Sequence, residues 1–302
     1  MNAALRAPFP WFGGKRRVAA RVWEALGNVD HYVEPFCGSA AVLLARPHVP
    51  RVETVNDADG MIANFWRAVK AAPDAVATHA DWPVNEADLH ARHRWLIGQR
   101  ETLTEQLVAD PELFDAKVAG WWVWGLCAWI GTGWCEKESK RIPFFGNTGM
   151  GVHSATGADW TALSRRLAGV DVACGDWQRV VSSTVLFRTS GVTGCFVDPP
   201  YAEGAQQYAA GGTGTDLSAR VRSWCGENGS NPRLRIVLCG YDGEHNDLEA
   251  SGWRRVEWNA QGAGYVGKGA ERDNQRRERL WLSPHCEGGK QRSLFDVMGG
   301  SR

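Results

Sequence analysis

The chain has 302 residues, 44% of them hydrophobic, so it can bury a substantial core as one or two domains. Lysine plus arginine equals aspartate plus glutamate at 34 each, which excludes a whole-chain field that attracts nucleic acid. No apolar run reaches the roughly 18 residues that span a bilayer, and residues 1–11 lack signal-peptide order, so we expect a cytoplasmic protein.

Two residue types narrow the classes further. The eight cysteines show neither CxxC pairs nor histidine partners at zinc spacing, which predicts reduced, mostly buried thiols and no bound metal. Five of the sixteen tryptophans fall within residues 120–134. We expect most of these rings in the core and a minority available for stacking.

The first part of the chain alternates between helical and strand patterns. Helices are predicted over residues 18–26, 40–45 and 61–70, with short strands over 31–34 and 51–55 between them. This order indicates an α/β sheet.

The middle of the chain loses the strand pattern. Residues 74–110 are rich in Ala, Glu, Arg and His and are predicted to be helical, while 121–134 predict a buried helix. Residues 136–153 change to charged and then Gly/Asn-rich sequence, which indicates an exposed loop or hairpin.

The strand pattern then resumes over 170–174, 195–197, 235–239 and 279–282, with a helix predicted over 217–225. One α/β domain in two pieces, interrupted by a helical insertion, accounts for this order. The predicted boundaries are 1–70 and 160–284 for the α/β domain, 71–159 for the insertion and 285–302 for a flexible tail.

Two strand ends carry signals of a nucleotide site, and ligands of open α/β sheets bind at the carboxyl ends of strands. Residues 34–40, Glu-Pro-Phe-Cys-Gly-Ser-Ala, form a small-residue turn that a ligand can approach closely. Asp57 and Asp59 follow the second strand, where a carboxylate can accept hydrogen bonds from ribose hydroxyls or cap a helix. Both interpretations of these aspartates remain open.

A third strand ends in Asp198-Pro199-Pro200-Tyr201. The prolines remove two N–H donors, which leaves the Asp198 carboxylate and the Pro199 carbonyl as acceptors for an amino group. Accepting both hydrogens of an exocyclic amine draws its nitrogen toward tetrahedral geometry and frees the lone pair, while Tyr201 can stack on a flipped base. A stiff strand-terminating turn is the equally open alternative.

Taken together, these motifs resemble the Dam-like (α-group) DNA adenine methyltransferases. Residues 10–15 are similar to that family's N-terminal motif, 34–40 to its cofactor loop and 198–201 to its catalytic motif, in the family's order. The resemblance implies an α/β fold: a Rossmann-like methyltransferase sheet with helices on both faces and an inserted, mainly helical target-recognition domain.

The resemblance also implies S-adenosylmethionine as cofactor and an adenine in double-stranded DNA as methyl acceptor. Lys15 and residues 36–40 would contact the methionine part, Asp57 the ribose, and Asp176 and Trp177 the adenine ring. The residues so assigned to the cofactor are Trp11, Lys15, Glu34, Pro35, Phe36, Gly38, Ser39, Ala40, Asp57, Asp176, Trp177 and Asp198. Ala40 stands where many members have glycine, and Trp177 where Phe or Tyr is common.

Two further segments carry resemblances to contact sites. Lys140, Arg141 and Asn147 lie in a stretch similar to the family's DNA-contacting hairpin, where Arg can grip guanine and Asn adenine; solvated loop charge is the alternative. In the tail, the residues that resemble a sliding-clamp peptide, which packing on the parent domain also explains, are Gln291, Leu294 and Phe295.

Other activities fit the same motifs. The acceptor can be the exocyclic amine of cytosine or an adenine in RNA, although the cytosine enzymes more often have Ser where Asp198 stands. A non-catalytic DNA-binding relative is the alternative from another class. Both a solitary prokaryotic or phage enzyme and one half of a restriction–modification pair fit this sequence.

Overall fold

The computed structural model describes residues 5–11, 14–129, 133–136, 158–201, 214–258 and 277–288. Within these ranges the chain forms one seven-stranded sheet with helices packed against it. The strands are β1 His31–Glu34, β2 Val52–Asp57, β3 Val170–Cys174, β4 Thr193–Val197, β5 Leu234–Tyr241, β6 Arg254–Glu257 and β7 Glu278–Leu282. The helices are α1 Ala19–Leu26, α2 Ala41–Leu44, α3 Gly60–Ala71, α4 Pro73–Ala80, α5 Glu86–Ala109, α6 Ala116–Ala128, α7 Trp160–Leu167, α8 Ser183–Leu186 and α9 Gly214–Asn228.

The strand order is β3-β2-β1-β4-β5-β7-β6. Strands β1 to β5 pair in parallel, whereas β7 lies antiparallel between β5 and β6. The order reverses between β1 and β4, and such a switch point opens a crevice at the carboxyl ends of the strands. The predicted Rossmann-like α/β fold is confirmed.

Both faces of the sheet are buried, because alternate side chains of each strand enter different apolar clusters. Tyr32 of β1 and Phe196 of β4 belong to the larger cluster, which also contains residues of α1, α3, α5 and α6. Their neighbours Val33 and Cys195 point to the other face, where Val221 of α9 packs. The eight cysteines are all free and buried, as the sequence predicts.

The predicted buried helix over 121–134 was wrong at both ends. Helix α6 begins after Asp115, whose carboxylate accepts a hydrogen bond from Val118 N at 2.8 Å, and it ends at Ala128 because Trp129 is extended. Trp134 lies beyond the helix and donates through Nε1 to the Trp122 carbonyl at 3.0 Å. The tryptophan-rich run is therefore a helix followed by a segment that folds back on it.

Helical structure over 74–110 is confirmed as two helices, since Asn85 caps α5 by accepting from Asp88 N at 2.8 Å. The edge strand β6 and the short helices α7 and α8 were missed by the sequence analysis. Strand β6 was not predicted because its four residues, Arg254–Glu257, include three charged side chains and follow a buried tryptophan. Within the described ranges, no helix has the length and apolarity required to cross a bilayer.

The buried side chain of Arg67 joins helices α3 and α5 to the sheet. From α3 its Nε donates to the Val172 carbonyl of β3 at 2.8 Å. Its Nη1 lies 3.1, 2.8 and 3.3 Å from the carbonyl oxygens of Leu107, Asp110 and Leu113, at the end of α5 and in the connection to α6. One guanidinium thus holds the end of α5 and the connection to α6 against α3 and the edge strand β3.

We expect Arg67→Leu to lower the free energy of unfolding by about 2–4 kcal/mol, because part-buried carbonyls lose their charged donor. Urea denaturation measures the change. The matched control is Arg179→Leu, which removes an exposed guanidinium that donates to one carbonyl, of Val108, and should change stability by less than about 0.5 kcal/mol. Equal effects of the two variants would show that Arg67 does not join these elements.

Candidate active site

The predicted site residues meet at the carboxyl ends of neighbouring strands. Glu34 ends β1, Asp57 ends β2 and Asp198 follows β4, and the pairing of β1 with both β2 and β4 brings these three carboxylates to one edge of the sheet. Glu34 is close enough to Asp198 for that carboxylate to raise its pKa. The sequence-based expectation that the motifs converge on one crevice follows from this topology.

The Asp198 carboxylate has a polar partner at each of its two oxygens. Its Oδ2 lies 3.0 Å from Lys15 Nζ, and its Oδ1 accepts a hydrogen bond from the Tyr201 hydroxyl at 3.0 Å. The ammonium of Lys15 also lies 5.3 Å from the centre of the Tyr201 ring. The Asp-Pro-Pro-Tyr turn therefore does more than end a strand. Its Asp198 and Tyr201 form a charged cluster with Lys15 of the N-terminal motif.

Lys15 lies in a short 3-10 turn over Lys15–Arg17 and is only 6% exposed. Burial lowers its pKa, but the carboxylates of Asp198 and Glu278 outweigh burial, so the pKa of Lys15 is raised above its ordinary value. Burial also raises the pKa of the Tyr201 hydroxyl, and the Asp198 carboxylate raises it further. At neutral pH the cluster thus holds an ammonium and a phenol that can donate.

Glu278 at the start of β7 is a member of this cluster that the sequence analysis missed. Its Oε1 lies 3.7 Å from Lys15 Nζ, and its residue is 8% exposed. Burial raises its pKa to about 7, although the Lys15 ammonium acts in the opposite direction. In the sequence, only a glutamate at the start of a predicted apolar strand marked this position.

The turn after β1 is a compact cradle built on left-handed backbone. Gly38 has φ +45°, and its N–H donates to Asp57 Oδ2 at 2.9 Å while its carbonyl accepts from Trp66 Nε1 at 2.8 Å. A Cβ at this glycine would lie 2.5 Å from Trp11 Nε1. Gly38 is therefore required by both its conformation and the close approach of the N-terminal motif.

Ala40 also has a positive φ, +50°, and is fully buried at the start of α2. Left-handed backbone is strained for a residue with a side chain, which explains why this position suits glycine. Its N–H donates to the Cys37 carbonyl at 2.6 Å, and the intervening Ser39 is buried. The departure at Ala40 thus keeps the turn and adds one methyl group to the core.

The structure separates the two aspartates that follow β2. Asp59 caps α3 by accepting from Met61 N at 2.9 Å, and its other oxygen lies 2.6 Å from Arg100 Nη2. Asp57 instead accepts from the backbone N–H of Gly38 and of Asp59, each at 2.9 Å. Burial raises the pKa of Asp57 to about 7. The helix-cap interpretation therefore applies to Asp59 and leaves Asp57 in the crevice.

Asn56, which the sequence analysis did not single out, ties three turns together. Its Nδ2 donates to the Pro35 and Gly175 carbonyls, at 3.0 Å in both cases. Behind the turn, Glu34 accepts from the Tyr32 hydroxyl at 2.9 Å, and burial raises the pKa of Glu34 to about 8. These contacts fix the turn over 34–40 against its neighbours.

An aromatic pair is formed by Phe36, which follows Pro35, and Trp177, which follows Asp176. The rings of Phe36 and Trp177 are stacked with centres 6.1 Å apart and planes 29° apart, and Trp177 is buried. Asp176 is exposed and caps the following turn by accepting from Gln178 N at 2.8 Å. Its second oxygen lies 3.7 Å from Arg220.

Some predictions lie outside the described residues. These are the DNA-contacting positions Lys140, Arg141 and Asn147 and the clamp-like positions Gln291, Leu294 and Phe295. Pro199 is buried and Pro200 half-buried in the turn after Asp198. Among the described ranges, no three His, Cys, Asp or Glu side chains are placed to hold a metal ion.

A comparison with family models indicates the enzyme class. Residues 11–96 match the D12 class N6 adenine-specific DNA methyltransferases. The match includes Trp11, Lys15, the turn over 34–40 and Asp57, and it ends before Asp198. It confirms the resemblance to Dam-like adenine methyltransferases and the predicted enzyme class, an adenine-specific DNA methyltransferase.

Methyltransferases of this family methylate adenine in DNA and in general depend on S-adenosylmethionine. A search of curated proteins gave no match to this methyltransferase. The division into a catalytic domain and an inserted target-recognition domain remains a prediction from the sequence.

We expect Gly38→Ala to destabilise the methyltransferase by about 1–3 kcal/mol, because the new Cβ meets Trp11 and the φ is left-handed. Gly98→Ala is the matched control, since Gly98 lies in α5 with open space around it and should gain up to about 1 kcal/mol. Thermal or urea unfolding measures both. A Gly38→Ala variant as stable as the wild type would contradict the proposed packing of the turn.

Proposed function

We propose that this methyltransferase transfers the methyl group of S-adenosylmethionine to the exocyclic amine of an adenine flipped out of duplex DNA, giving N6-methyladenine. The observation that carries the proposal is the placement of the Asp198 carboxylate beside the β1 turn, at the point where the strand order reverses. An amine acceptor and a nucleotide cradle are then on the same edge of the sheet.

The residues of the crevice fit the cofactor. Asp57 offers a half-buried carboxylate, suited to two ribose hydroxyls, next to a turn whose backbone is already fixed by Gly38 and Asn56. We assign the adenine ring of the cofactor to the stacked pair Phe36 and Trp177 and its amine to Asp176. The methionine part is assigned to Trp11, Lys15 and the turn over 34–40.

The protein's chemical task is to orient and shape the amine. Asp198 and the Pro199 carbonyl each accept one hydrogen of the amine, which localises the nitrogen lone pair for attack. S-adenosylmethionine, when bound, supplies an electrophilic methyl group on a positive sulfur. Attack by the nitrogen would form its bond to carbon as the carbon–sulfur electron pair returned to sulfur, and Asp198 would accept one amine proton. Orientation of two reactants carries most of this catalysis.

DNA contact is assigned to the inserted domain over 71–159, with Lys140, Arg141 and Asn147 as the proposed base and phosphate readers. Binding of the tail to a sliding clamp remains a sequence-based hypothesis for Gln291, Leu294 and Phe295. A DNA substrate agrees with the predicted cytoplasmic location.

We expect Asp198→Ala to reduce methyl transfer by at least about 100-fold while cofactor binding stays measurable, because the amine loses its charged acceptor. Transfer of tritium from labelled cofactor to unmethylated genomic DNA measures activity, and calorimetry measures binding. The control is Asp171→Ala, an exposed carboxylate of β3 paired with Arg188, which should keep full activity.

Nucleoside analysis of the labelled product separates the rival acceptors. Label in N6-methyladenine of DNA supports the proposal, whereas label in cytosine or only in RNA overturns the acceptor assignment. No transfer by the wild type to any nucleic acid would identify a non-catalytic relative.

The pKa of Asp57 predicts a pH dependence of cofactor binding. Burial raises this pKa to about 7, and only the carboxylate form accepts both ribose hydroxyls well. Below pH 7 the protonated form prevails, so the Kd for S-adenosylmethionine should be about tenfold weaker at pH 6 than at pH 8. Calorimetry at several pH values measures it. Asp57→Asn should bind weakly at every pH, and a wild-type Kd that is flat from pH 6 to 8 would refute the assignment.

A further inference from the structure

The charged cluster holds a second carboxylate to which the proposed transfer gives no task. Glu278 begins β7 and pairs in register with Tyr241 of β5, so its backbone position is fixed by the sheet. Its Oε1 lies 3.7 Å from the same Lys15 Nζ that lies 3.0 Å from Asp198 Oδ2. One buried ammonium thus lies between two carboxylates from strands that are adjacent to β5 on opposite sides.

Lys15 occupies an acceptor that the reaction needs. Both oxygens of Asp198 already have partners, Lys15 at one and the Tyr201 hydroxyl at the other. An amine that donates to Asp198 therefore shares the carboxylate with an ammonium that neutralises part of its negative charge. The ammonium can move away from Asp198 only when other anions neutralise it, because an unpaired buried charge is strongly unfavourable, and Glu278 is the second side-chain carboxylate beside it.

We propose that Glu278 is a positioning residue that retains the Lys15 ammonium while Asp198 accepts the adenine amine. The inference rests on the proposed function, since it concerns the exchange of partners at Asp198. Nζ needs to move only about 1 Å toward Glu278 to reach the usual length of a charged hydrogen bond. Release of Asp198 from Lys15 leaves its negative charge to act on the amine.

The groups around Glu278 support this exchange. The titratable side chains that interact with it electrostatically come from the 3-10 turn, the end of β4 and β5, namely Lys15, Asp198, Tyr201, Cys239 and Tyr241. Lys15 is the cation among them. Burial raises the pKa of Glu278 to about 7, so the carboxylate that can hold Lys15 forms as the pH rises through neutrality.

The test compares wild type and Glu278→Gln at saturating cofactor, where titration of Asp57 is not seen. Glutamine keeps the shape of the side chain and removes its charge. We expect kcat to fall by about 10- to 100-fold above pH 7, since Lys15 then stays on Asp198, with the cofactor Kd changed less than about twofold. In wild type kcat should fall as the pH drops through about 7, and this dependence should be absent in Glu278→Gln.

Two variants separate positioning from a purely structural role. Glu257→Gln removes an exposed carboxylate that lies 3.8 Å from Arg279, the neighbour of Glu278 on β7, and should keep the wild-type rate and pH profile. Glu278→Asp restores the charge and should recover part of the rate together with the dependence on pH near 7. A slow Glu278→Gln variant that retains this pH dependence would overturn the inference.

If Glu278→Gln does not fold alone, the test compares Lys15→Met with the double variant Lys15→Met/Glu278→Gln, which loses one positive and one negative charge. Lys15→Met removes the ammonium, so adding Glu278→Gln to it should cause no further loss of kcat, and an additional loss would overturn the inference. An active wild type with an equally active Glu278→Gln also overturns it. An inactive wild type instead overturns the proposed function, so the two failures are distinguishable.

Discussion

The crevice depends on one buried positive charge. Lys15 brings its ammonium from the N-terminal turn to the carboxylates of Asp198 and Glu278, which belong to segments more than 70 residues apart in the chain. Burial of these groups is unfavourable for each one alone and tolerable only when they are together. The two carboxylates keep Lys15 charged by raising its pKa, and burial raises the pKa of Glu278 to about 7. The contacts of Lys15 with Asp198 and Glu278 therefore stabilise the fold and also set the charges of the proposed site.

Around this charge, the sheet supplies a rigid frame. Parallel strands buried on both faces leave their carboxyl ends as the accessible edge, and hydrogen bonds between side chains and backbone hold the turns there. The Gly38 N–H to Asp57 and the amide of Asn56 to Pro35 and Gly175 are examples. Such preorganisation suits a reaction in which the enzyme mainly orients two partners. Arg67 extends the frame to the end of α5 and its connection to α6.

Local pattern predicted the parts of this site that depend on neighbours in sequence. Apolar runs marked β1, β2, β4 and β5, and the Asp-Pro-Pro-Tyr turn indicated an amine acceptor at the end of β4. Local pattern did not distinguish Asp57 from Asp59, since both follow the same strand. The difference arises from two contacts that are distant in sequence. Arg100, 41 residues away, pairs with Asp59, whereas the N–H of Gly38, after β1, donates to Asp57 at the end of the neighbouring strand β2.

By itself, the sequence determined the α/β class, and it predicted the turn over 34–40 and the Asp-Pro-Pro-Tyr turn as parts of one site, because each is set by the order of apolar, small and acidic residues along one segment. Tertiary structure alone decided the place of Glu278 beside Lys15, the end of α6 and the left-handed backbone at Ala40. These depend on which segments the sheet order brings together. A glutamate before a strand becomes part of a site only when an antiparallel β7 places it beside a lysine from the other end of the chain.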